Sequence, residues 1–275
     1  MSLHILSLET SSAWCGVALL RAPDAGGTPA MPASGSGDAG RPFVFSREHQ
    51  GVQEHSARLL PMIDEVLAEA GIARSAIDAI AFGQGPGGFT GLRVACGVAQ
   101  GLGFALDRQV LPVVSHAAVA VQVDGSGGQP IVVAMDARMQ EVYVAAYAQP
   151  SDQEQRVLLE PQLMALEGLE PWLQATFGSD AGPTGWLLAG DAATAYPDAF
   201  AGVPAGQCVS GAMRPTASAV ATLAWRGWLR GDAIAPEHAM PLYVRDKVAF
   251  TTAERLLGAG GNPKVAPAAR IGEGS

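Results

Sequence analysis

Hydrophobic residues along the chain follow two spacings, one typical of β-strands and the other typical of amphipathic helices. Short apolar runs bounded by Gly, Pro, Ser or charged residues predict strands. Apolar residues that recur every three or four positions predict helices. The expected strands lie at 3–8, 14–20, 42–47, 77–82, 109–114, 131–136, 141–148 and 186–189, with an extended segment at 241–245. The expected helices lie at 55–70, 90–106, 115–123, 161–177 and 216–230.

One motif occurs twice in this pattern: an apolar strand, an acidic residue, a short turn and a returning strand. The first copy carries Glu9 and the second carries Asp136. The repeat predicts an α/β protein with two related lobes, each a mixed sheet with helices, and a hinge near 107–115. The expected boundaries are 1–110 for the N-terminal lobe, 111–232 for the C-terminal lobe, and 233–275 for an extended C-terminal segment and flexible tail.

Residues 22–40 are dense in Gly, Pro, Ala and Ser and contain almost no large apolar side chain. Such a stretch cannot bury enough surface to offset the entropy lost on ordering. We therefore expect a mobile and dispensable insertion at the tip of a hairpin in the N-terminal lobe.

A glycine-rich turn joins the expected strand at 77–82 to the helix that follows it. Glycines there allow positive φ and close approach of another backbone. They fit either a tight strand-to-helix turn or a nest of N–H groups that holds an anion such as phosphate. Glycine turns are commoner than anion sites, which favours the first interpretation, and Thr90 could cap the helix. The residues of this turn are Gly83, Gly85, Pro86, Gly87, Gly88, Phe89, Thr90, Gly91 and Arg93.

The helix at 90–106 carries two lines of small residues at steps of four, one beginning at Gly91 and the other including Gly97 and Gly101. Each interior glycine costs about 1 kcal/mol relative to alanine, so close helix packing must compensate. Packing on the chain's own sheet explains one line; two lines are harder to bury in one chain, which predicts a partner helix. The expected partner interface comprises His55, Leu59, Leu60, Ile63, Leu67, Arg93, Val94, Gly97, Val98 and Gly101.

Composition narrows the function classes. The net charge of −9 argues against broad nucleic-acid binding by this chain alone, although a basic partner could hold RNA. Three widely spaced cysteines suggest neither a disulfide framework nor a zinc site. No signal peptide and no membrane span are expected, so the predicted location is the cytoplasm.

A search for catalytic patterns finds little. The five histidines show no metal-ligand spacing, and no Ser-His-Asp or Cys-His set can be assembled, so no catalytic residue, metal or cofactor is predicted. His55 is expected to be a helix cap or a surface residue. Glu9 and Asp136 could face each other across a cleft, but each could equally cap its own turn through backbone N–H groups, which is slightly favoured.

Five stretches of the sequence together resemble the TsaB (YeaZ) family of bacterial tRNA threonylcarbamoyladenosine synthesis. The most specific are GQGPGGFTGLR at 83–93 and MDARMQEVY at 135–143, joined by LSLETS at 6–11, EHSARLLPM at 54–62 and PLYVR at 241–245. The resemblance covers roughly residues 1–250 apart from 22–40. One departure is Gly88, which stands where serine is usual.

This resemblance implies an actin-like, two-lobed fold of the hexokinase and Hsp70 type. It implies a non-catalytic subunit that binds and stabilises TsaD through the helices at 55–70 and 90–106, in a complex with the ATPase TsaE. That complex installs threonylcarbamoyl on the anticodon-adjacent adenosine of tRNAs that read codons beginning with A. The chain would contact tRNA only through the complex, and could form a homodimer when alone. An active ATP-dependent enzyme or a peptidase of the same fold is the alternative.

The resemblance also implies that the nucleotide cleft is degenerate. Ser115 and Val119 align with the metal-binding histidines of TsaD, and neither can rebuild that site. The second hairpin turn, at 136–139, lacks the glycine that kinases of this fold use around phosphate. The residues assigned to the degenerate cleft are Glu9, Thr10, Ser11, Asp136 and Arg138.

Overall fold

A computed structural model describes residues 2–23, 42–51, 54–123, 129–148, 155–178, 185–204, 207–209 and 213–245. The first elements are β1 (Ser2–Glu9), β2 (Trp14–Pro23), β3 (Phe43–Gln50), α1 (His55–Ala70), β4 (Ala79–Gly85), α2 (Phe89–Leu106) and β5 (Gln109–Val114). The remaining elements are α3 (Ser115–Ala120), β6 (Pro130–Asp136), β7 (Glu141–Ala148), β8 (Arg156–Ala165), α4 (Leu169–Phe177), β9 (Leu187–Ala189), α5 (Ala192–Ala195) and α6 (Ala217–Arg230). The expected insertion at 22–40, except residues 22 and 23, and the part of the expected C-terminal segment and tail that follows residue 245 lie outside the described residues.

The strands form two sheets that share a four-strand arrangement, to which the first sheet adds β5. The first sheet has the order β3-β2-β1-β4-β5, and the second has the order β8-β7-β6-β9. In each sheet an antiparallel meander is extended by a parallel strand: β4 beside β1, and β9 beside β6. The structure thus confirms the expected α/β class with duplicated mixed sheets, because the repeated hairpins occupy equivalent places.

Helices cover both faces of the first sheet. The apolar stripe of α1, including Leu59 and Val66, packs with Ala95 and Ala99 of α2 on one face. On the other face, α6 contributes Val220 and Trp225 to a core shared with β1, β2, β4 and β5. The predicted boundary at 232 therefore does not follow the packing, since α6 lies on the sheet of the N-terminal lobe. The structure offers no test of the other predicted boundaries.

Two local predictions are wrong. The expected helix at 161–177 is a strand up to Ala165, and α4 begins only at Leu169. Residues there have helical apolar spacing, but pairing with β7 overrides it. Thr90 does not cap α2. The N-cap is Gly88, which has no side chain to form a cap, and Thr90 lies within the first turn.

Candidate functional site

The glycine-rich turn packs directly against the turn between β1 and β2. A Cβ atom on Gly91 would overlap the carbonyl oxygen of Thr10, and one on Gly87 would overlap that of Ser11. The Gly88 N–H donates to Ser11 O at 2.7 Å, and the Thr10 hydroxyl donates to Gly91 O at 2.7 Å. The chain's own backbone therefore occupies the space that these glycines leave open, which favours the tight-turn interpretation over an anion nest.

Glu9 lies buried beneath this contact. A Cβ on Gly83 would overlap its carboxylate. Its Oε1 accepts the Ser11 N–H at 2.6 Å, and its Oε2 accepts the Ser115 hydroxyl at 3.1 Å. Burial raises the pKa of Glu9, while the hydrogen bonds from Ser11 and Ser115 oppose that rise. Since Ser115 also accepts the Gly85 N–H at 3.2 Å, Glu9 links the ends of β1 and β4 to the start of α3.

Asp136 occupies the equivalent place in the second sheet. Its Oδ1 accepts the Arg138 N–H and the Tyr196 hydroxyl, both at 2.7 Å, and its Oδ2 lies 3.1 Å from the Arg138 guanidinium. Its own N–H donates to Asp191 at 2.8 Å, and burial raises the pKa of Asp191. Glu9 and Asp136 thus each cap their own turn, as the favoured alternative expects.

A cleft of about 410 Å³ separates the two turns. Of the five residues assigned to the degenerate cleft, Ser11, Asp136 and Arg138 line it. Glu9 and Thr10 are buried behind its wall, so a facing acidic pair is not present. His116 also lines the cleft; its Nε2 lies 3.1 Å from Tyr143 O, and burial lowers its pKa to about 4, so its ring is neutral at pH 7.

The segment at 241–245 ties the cleft walls together. The Leu242 N–H donates to Gln84 O at 2.7 Å, beside the glycine-rich turn. Arg245 donates to Ala137 O at 2.8 Å and forms an ion pair with Glu141 at 2.5 Å. The side chains of that pair are only 11% and 4% exposed. One short segment therefore joins the first turn to the second hairpin.

Several residues of this site carry no local sequence signal. Ser115, His116, Asp191, Tyr196 and Arg245 come from separate elements and meet only through the fold. Among the described residues, no group of three or more His, Cys, Asp or Glu side chains could hold a metal ion.

The outer side of α2 is open. Gly97 and Gly101 are exposed, and a Cβ on either would have no neighbour within 4 Å. Arg93 is exposed beside them and stacks on Phe89, with its guanidinium carbon 3.7 Å from the ring centre. Leu60, on the neighbouring α1, is 49% exposed.

Four residues of the expected interface lie elsewhere. His55, Leu59, Ile63 and Leu67 are buried, the three aliphatic side chains against the first sheet, because they form the inward stripe of α1. His55 is thus neither a surface residue nor a side-chain cap. Burial lowers its pKa, and neither ring nitrogen has a hydrogen-bond partner. The exposed part of the expected face reduces to Leu60, Arg93, Gly97 and Gly101, with Val94 and Val98 half-buried. We call these six residues the glycine face.

By length and hydropathy alone, α2 could also cross a membrane. That is weak support for a span, because core helices meet the same criterion, and the inner side of α2 packs on the first sheet.

Sequence comparisons match this chain to known proteins of one tRNA modification. A family model described as TsaD, tRNA N6-adenosine threonylcarbamoyltransferase, matches residues 46–169. The tRNA threonylcarbamoyladenosine biosynthesis protein TsaB of Escherichia coli strain K12 is 30% identical over 209 residues, which cover 72% of this chain and 84% of that protein. TsaB of Haemophilus influenzae is 38% identical over 148 residues, and the match spans about half of each protein, 52% in both cases.

A solved structure gives the same result for the fold. YeaZ from Pseudomonas aeruginosa is 35% identical, with a TM-score of 0.69 over 88% of this chain and 99% of that one. The similarity confirms the expected actin-like arrangement of two related lobes.

Proposed function

Since the chain belongs to the TsaB (YeaZ) family of tRNA threonylcarbamoyladenosine biosynthesis proteins, we propose that it is a non-catalytic subunit that binds and stabilises TsaD. In this proposal the two proteins act in the cytoplasm with the ATPase TsaE, and tRNA is reached only through the complex. Threonylcarbamoyl transfer to the tRNA adenosine is then the task of TsaD.

The glycine face carries this proposal. Gly97 and Gly101 weaken α2 by about 1 kcal/mol each relative to alanine. Nothing within the described part of this chain uses the space that they leave. Glycines on an exposed helix permit a second helix to approach at backbone distance, and the apolar Leu60 lies on the adjacent helix. A helix pair from TsaD would complete a four-helix bundle on this face.

The cleft supports the non-catalytic part of the proposal. Backbone atoms of Thr10 and Ser11 fill the glycine-rich turn where a phosphate would otherwise approach. Ser115, at one position of the TsaD metal pair, is buried and donates to Glu9, and Val119, at the other, is buried in the core. The same bond counts against a peptidase, because the Ser115 hydroxyl, although it lines the cleft, donates to the Glu9 carboxylate, and Nε2 of the neighbouring His116 lies against Tyr143 O.

The test is binding to the TsaD of the same cell, measured by calorimetry. Gly97→Leu and Gly101→Leu should weaken association about 5- to 150-fold, since overpacking at a close contact costs about 1–3 kcal/mol. Gly168→Leu is the matched control: its added side chain also enters open space, but it lies before α4 in the other lobe. It should bind TsaD like the parent chain.

Two outcomes would contradict the proposal. One is that the leucine variants, while folded, bind TsaD with unchanged affinity. The other is that the isolated chain binds ATP with micromolar affinity and hydrolyses it, which would favour the active-enzyme alternative. If the leucine variants instead disrupt a self-association seen by sedimentation, the glycine face would bind a second copy of this chain.

A further inference from the structure

The glycine face ends in a group of large side chains at the N-terminal end of α2. Phe89, Arg93, Gly97 and Gly101 follow one another at steps of four residues and are all exposed, so they form one row on the outer side of the helix. Gly97 and Gly101 leave most of this row empty. Arg93 is the only charged residue of α2, so the row carries a single positive charge at one end.

Two aromatic residues hold the Arg93 side chain in place. Its guanidinium carbon lies 3.7 Å from the centre of the Phe89 ring and 5.8 Å from the centre of the Tyr243 ring. Its Nε–H donates to the Tyr243 hydroxyl at 2.9 Å, and the two ring centres are 5.5 Å apart. These contacts remove rotamer freedom that an exposed arginine otherwise keeps, so the guanidinium is ordered before a partner arrives. We call Phe89, Arg93 and Tyr243 the arginine cluster.

The ordered guanidinium still has hydrogen-bonding capacity at its tip. Tyr243 takes the Nε–H, and the Phe89 ring covers one flat face. Among the described residues, no carboxylate pairs with Arg93 and no acceptor takes an Nη–H of this side chain. Because Arg93 is an exposed residue, the free end of its side chain is accessible to a second protein.

The neighbouring helix supplies no acid to this cluster. All three acidic residues of α1 pair with cations of the same chain: Asp64 with Arg74, and both Glu65 and Glu69 with Arg47. The helix pair that carries the glycine face therefore leaves the charge of the arginine cluster without a counterpart. An acidic side chain that approaches along the glycine face would provide one.

On the basis of the proposed function, in which TsaD docks on the glycine face, we propose that the arginine cluster binds an aspartate or glutamate of the TsaD helix pair. With Nε bonded to Tyr243, the two Nη groups offer a fork that one carboxylate can accept end-on. Phe89 and Tyr243 are 36% and 45% exposed, so the same contact would bury aromatic surface around the ion pair. Arginine and tyrosine are among the residues that contribute most to interfaces.

This contact would have two consequences for the complex. The interface would extend beyond α1 and α2 to the segment at 241–245, which contributes Tyr243. The ion pair would also fix the register of the TsaD helix along α2, because the stretch at Gly97 and Gly101 offers a partner no polar side chain to recognise.

Calorimetry of binding to the TsaD of the same cell tests the cluster. Arg93→Gln should weaken binding tenfold or more and make it less sensitive to salt, because a desolvated ion pair is lost. Arg93→Lys keeps the charge without the fork, and Tyr243→Phe keeps the ring without the hydroxyl; each should weaken binding about threefold. Arg156→Gln is the matched control, since it removes an exposed arginine from β8 of the second sheet, and it should bind like the parent.

A double-mutant cycle identifies the acid. Each aspartate and glutamate of the TsaD helix pair is replaced by asparagine or glutamine and titrated with the parent chain and with Arg93→Gln. One replacement should weaken binding of the parent tenfold or more and change binding of Arg93→Gln less than twofold. If no carboxylate of TsaD couples to Arg93 in this way, the proposal is wrong.

Gly97→Leu separates this proposal from the proposed function. If Gly97→Leu weakens TsaD binding while Arg93→Gln binds like the parent, the cluster does not recognise TsaD but the glycine face still does. If neither variant weakens binding, both proposals fail. Thermal unfolding excludes a structural role: Arg93→Gln should unfold within about 2 °C of the parent, as is usual for an exposed residue. A much larger drop would mean that the cluster serves to hold the segment at 241–245 in the monomer, and would overturn the proposal.

Discussion

Two sets of glycines on α2, Gly91 with Gly103 and Gly97 with Gly101, lie in lines of small residues at steps of four and have opposite surroundings. At Gly91 an added Cβ would overlap Thr10 O, and at Gly103 it would lie 2.7 Å from Pro236 and 3.1 Å from Arg108 O. At Gly97 and Gly101 it would have no neighbour within 4 Å. The first set lets other parts of the same chain approach the helix. The second set leaves an exposed groove that the described part of the chain does not fill.

The comparison shows that glycine in a helix can serve either the fold or a partner, and that spacing alone does not tell them apart. Both sets lower helix propensity equally. Only the first is compensated within the monomer, by contacts with the β1–β2 turn and with residues that follow α6. Replacing a glycine should therefore lower the free energy of unfolding on the packed side of α2, at Gly91 and Gly103, and raise it on the open side, at Gly97 and Gly101.

The largest effect is expected where the C-terminal segment joins the glycine-rich turn to the second hairpin. Arg245→Met would leave Glu141 buried without its cation and should lower the free energy of unfolding by about 3–5 kcal/mol. Arg74→Met is the control, because its ion pair with Asp64 is exposed and should contribute less than about 1 kcal/mol. Urea denaturation measures both. Similar small losses for the two variants would mean that the segment at 241–245 does not hold the second hairpin in place.

A somewhat smaller loss is expected at Gly91. Gly91→Ala places a methyl group on the carbonyl oxygen of Thr10 and should lower the free energy of unfolding by about 2–3 kcal/mol, since backbone must move on both sides. The hydrogen bond from the Thr10 hydroxyl to Gly91 O would be strained as well. Equilibrium unfolding in urea gives the value. A neutral Gly91→Ala would contradict the account of the glycine-rich turn as a close backbone contact.

Much of the fold was predictable because its signals are local or repeated. The apolar stripe of α1 ends at Gly71, whose φ of 67° suits glycine. The repeated hairpin predicts two related sheets. β8 was missed because its leucine spacing fits a helix and only pairing with β7 makes it a strand. The place of α6 on the first sheet was also beyond local patterns, since its partner strands lie a hundred or more residues earlier in the chain.

The candidate site also combines features with a short-range sequence signal and features that only the fold brings together. Turn capping by Glu9 and Asp136 follows from an acidic residue two positions before a free N–H, which is a short-range signal. Ser115 and Asp191 bond to these turns from distant segments, so no spacing indicates them. The interface prediction erred at Leu59, Ile63 and Leu67 because one apolar stripe of α1 was assigned to a partner although it covers the chain's own sheet.

Glu9 offers a pH test of the packed side. Because burial raises its pKa in the folded state, the folded protein favours the protonated carboxyl. That contribution to stability is full below the unfolded pKa and is lost as pH rises through the folded pKa. Glu9→Gln can keep both hydrogen bonds without the charge, so it should be more stable than the parent by roughly 1–2 kcal/mol at pH 7. The difference should shrink toward about pH 4, as followed by urea denaturation across pH. A constant difference would mean that Glu9 does not titrate in this way.

The smallest effect is expected on the open side, and it should be a gain. Gly97→Ala adds a methyl group that meets no other part of the described chain and removes the propensity penalty of glycine. The isolated chain should become more stable by about 0.8–1 kcal/mol, which corresponds to a rise of about 2–4 °C in the unfolding temperature. Calorimetry of Gly97→Ala, Gly101→Ala and the double variant measures these gains. A loss of stability at either position would place these glycines in a contact within the monomer. The two sides of α2 would then not differ in kind, and the interface proposed on the glycine face would lose its physical basis.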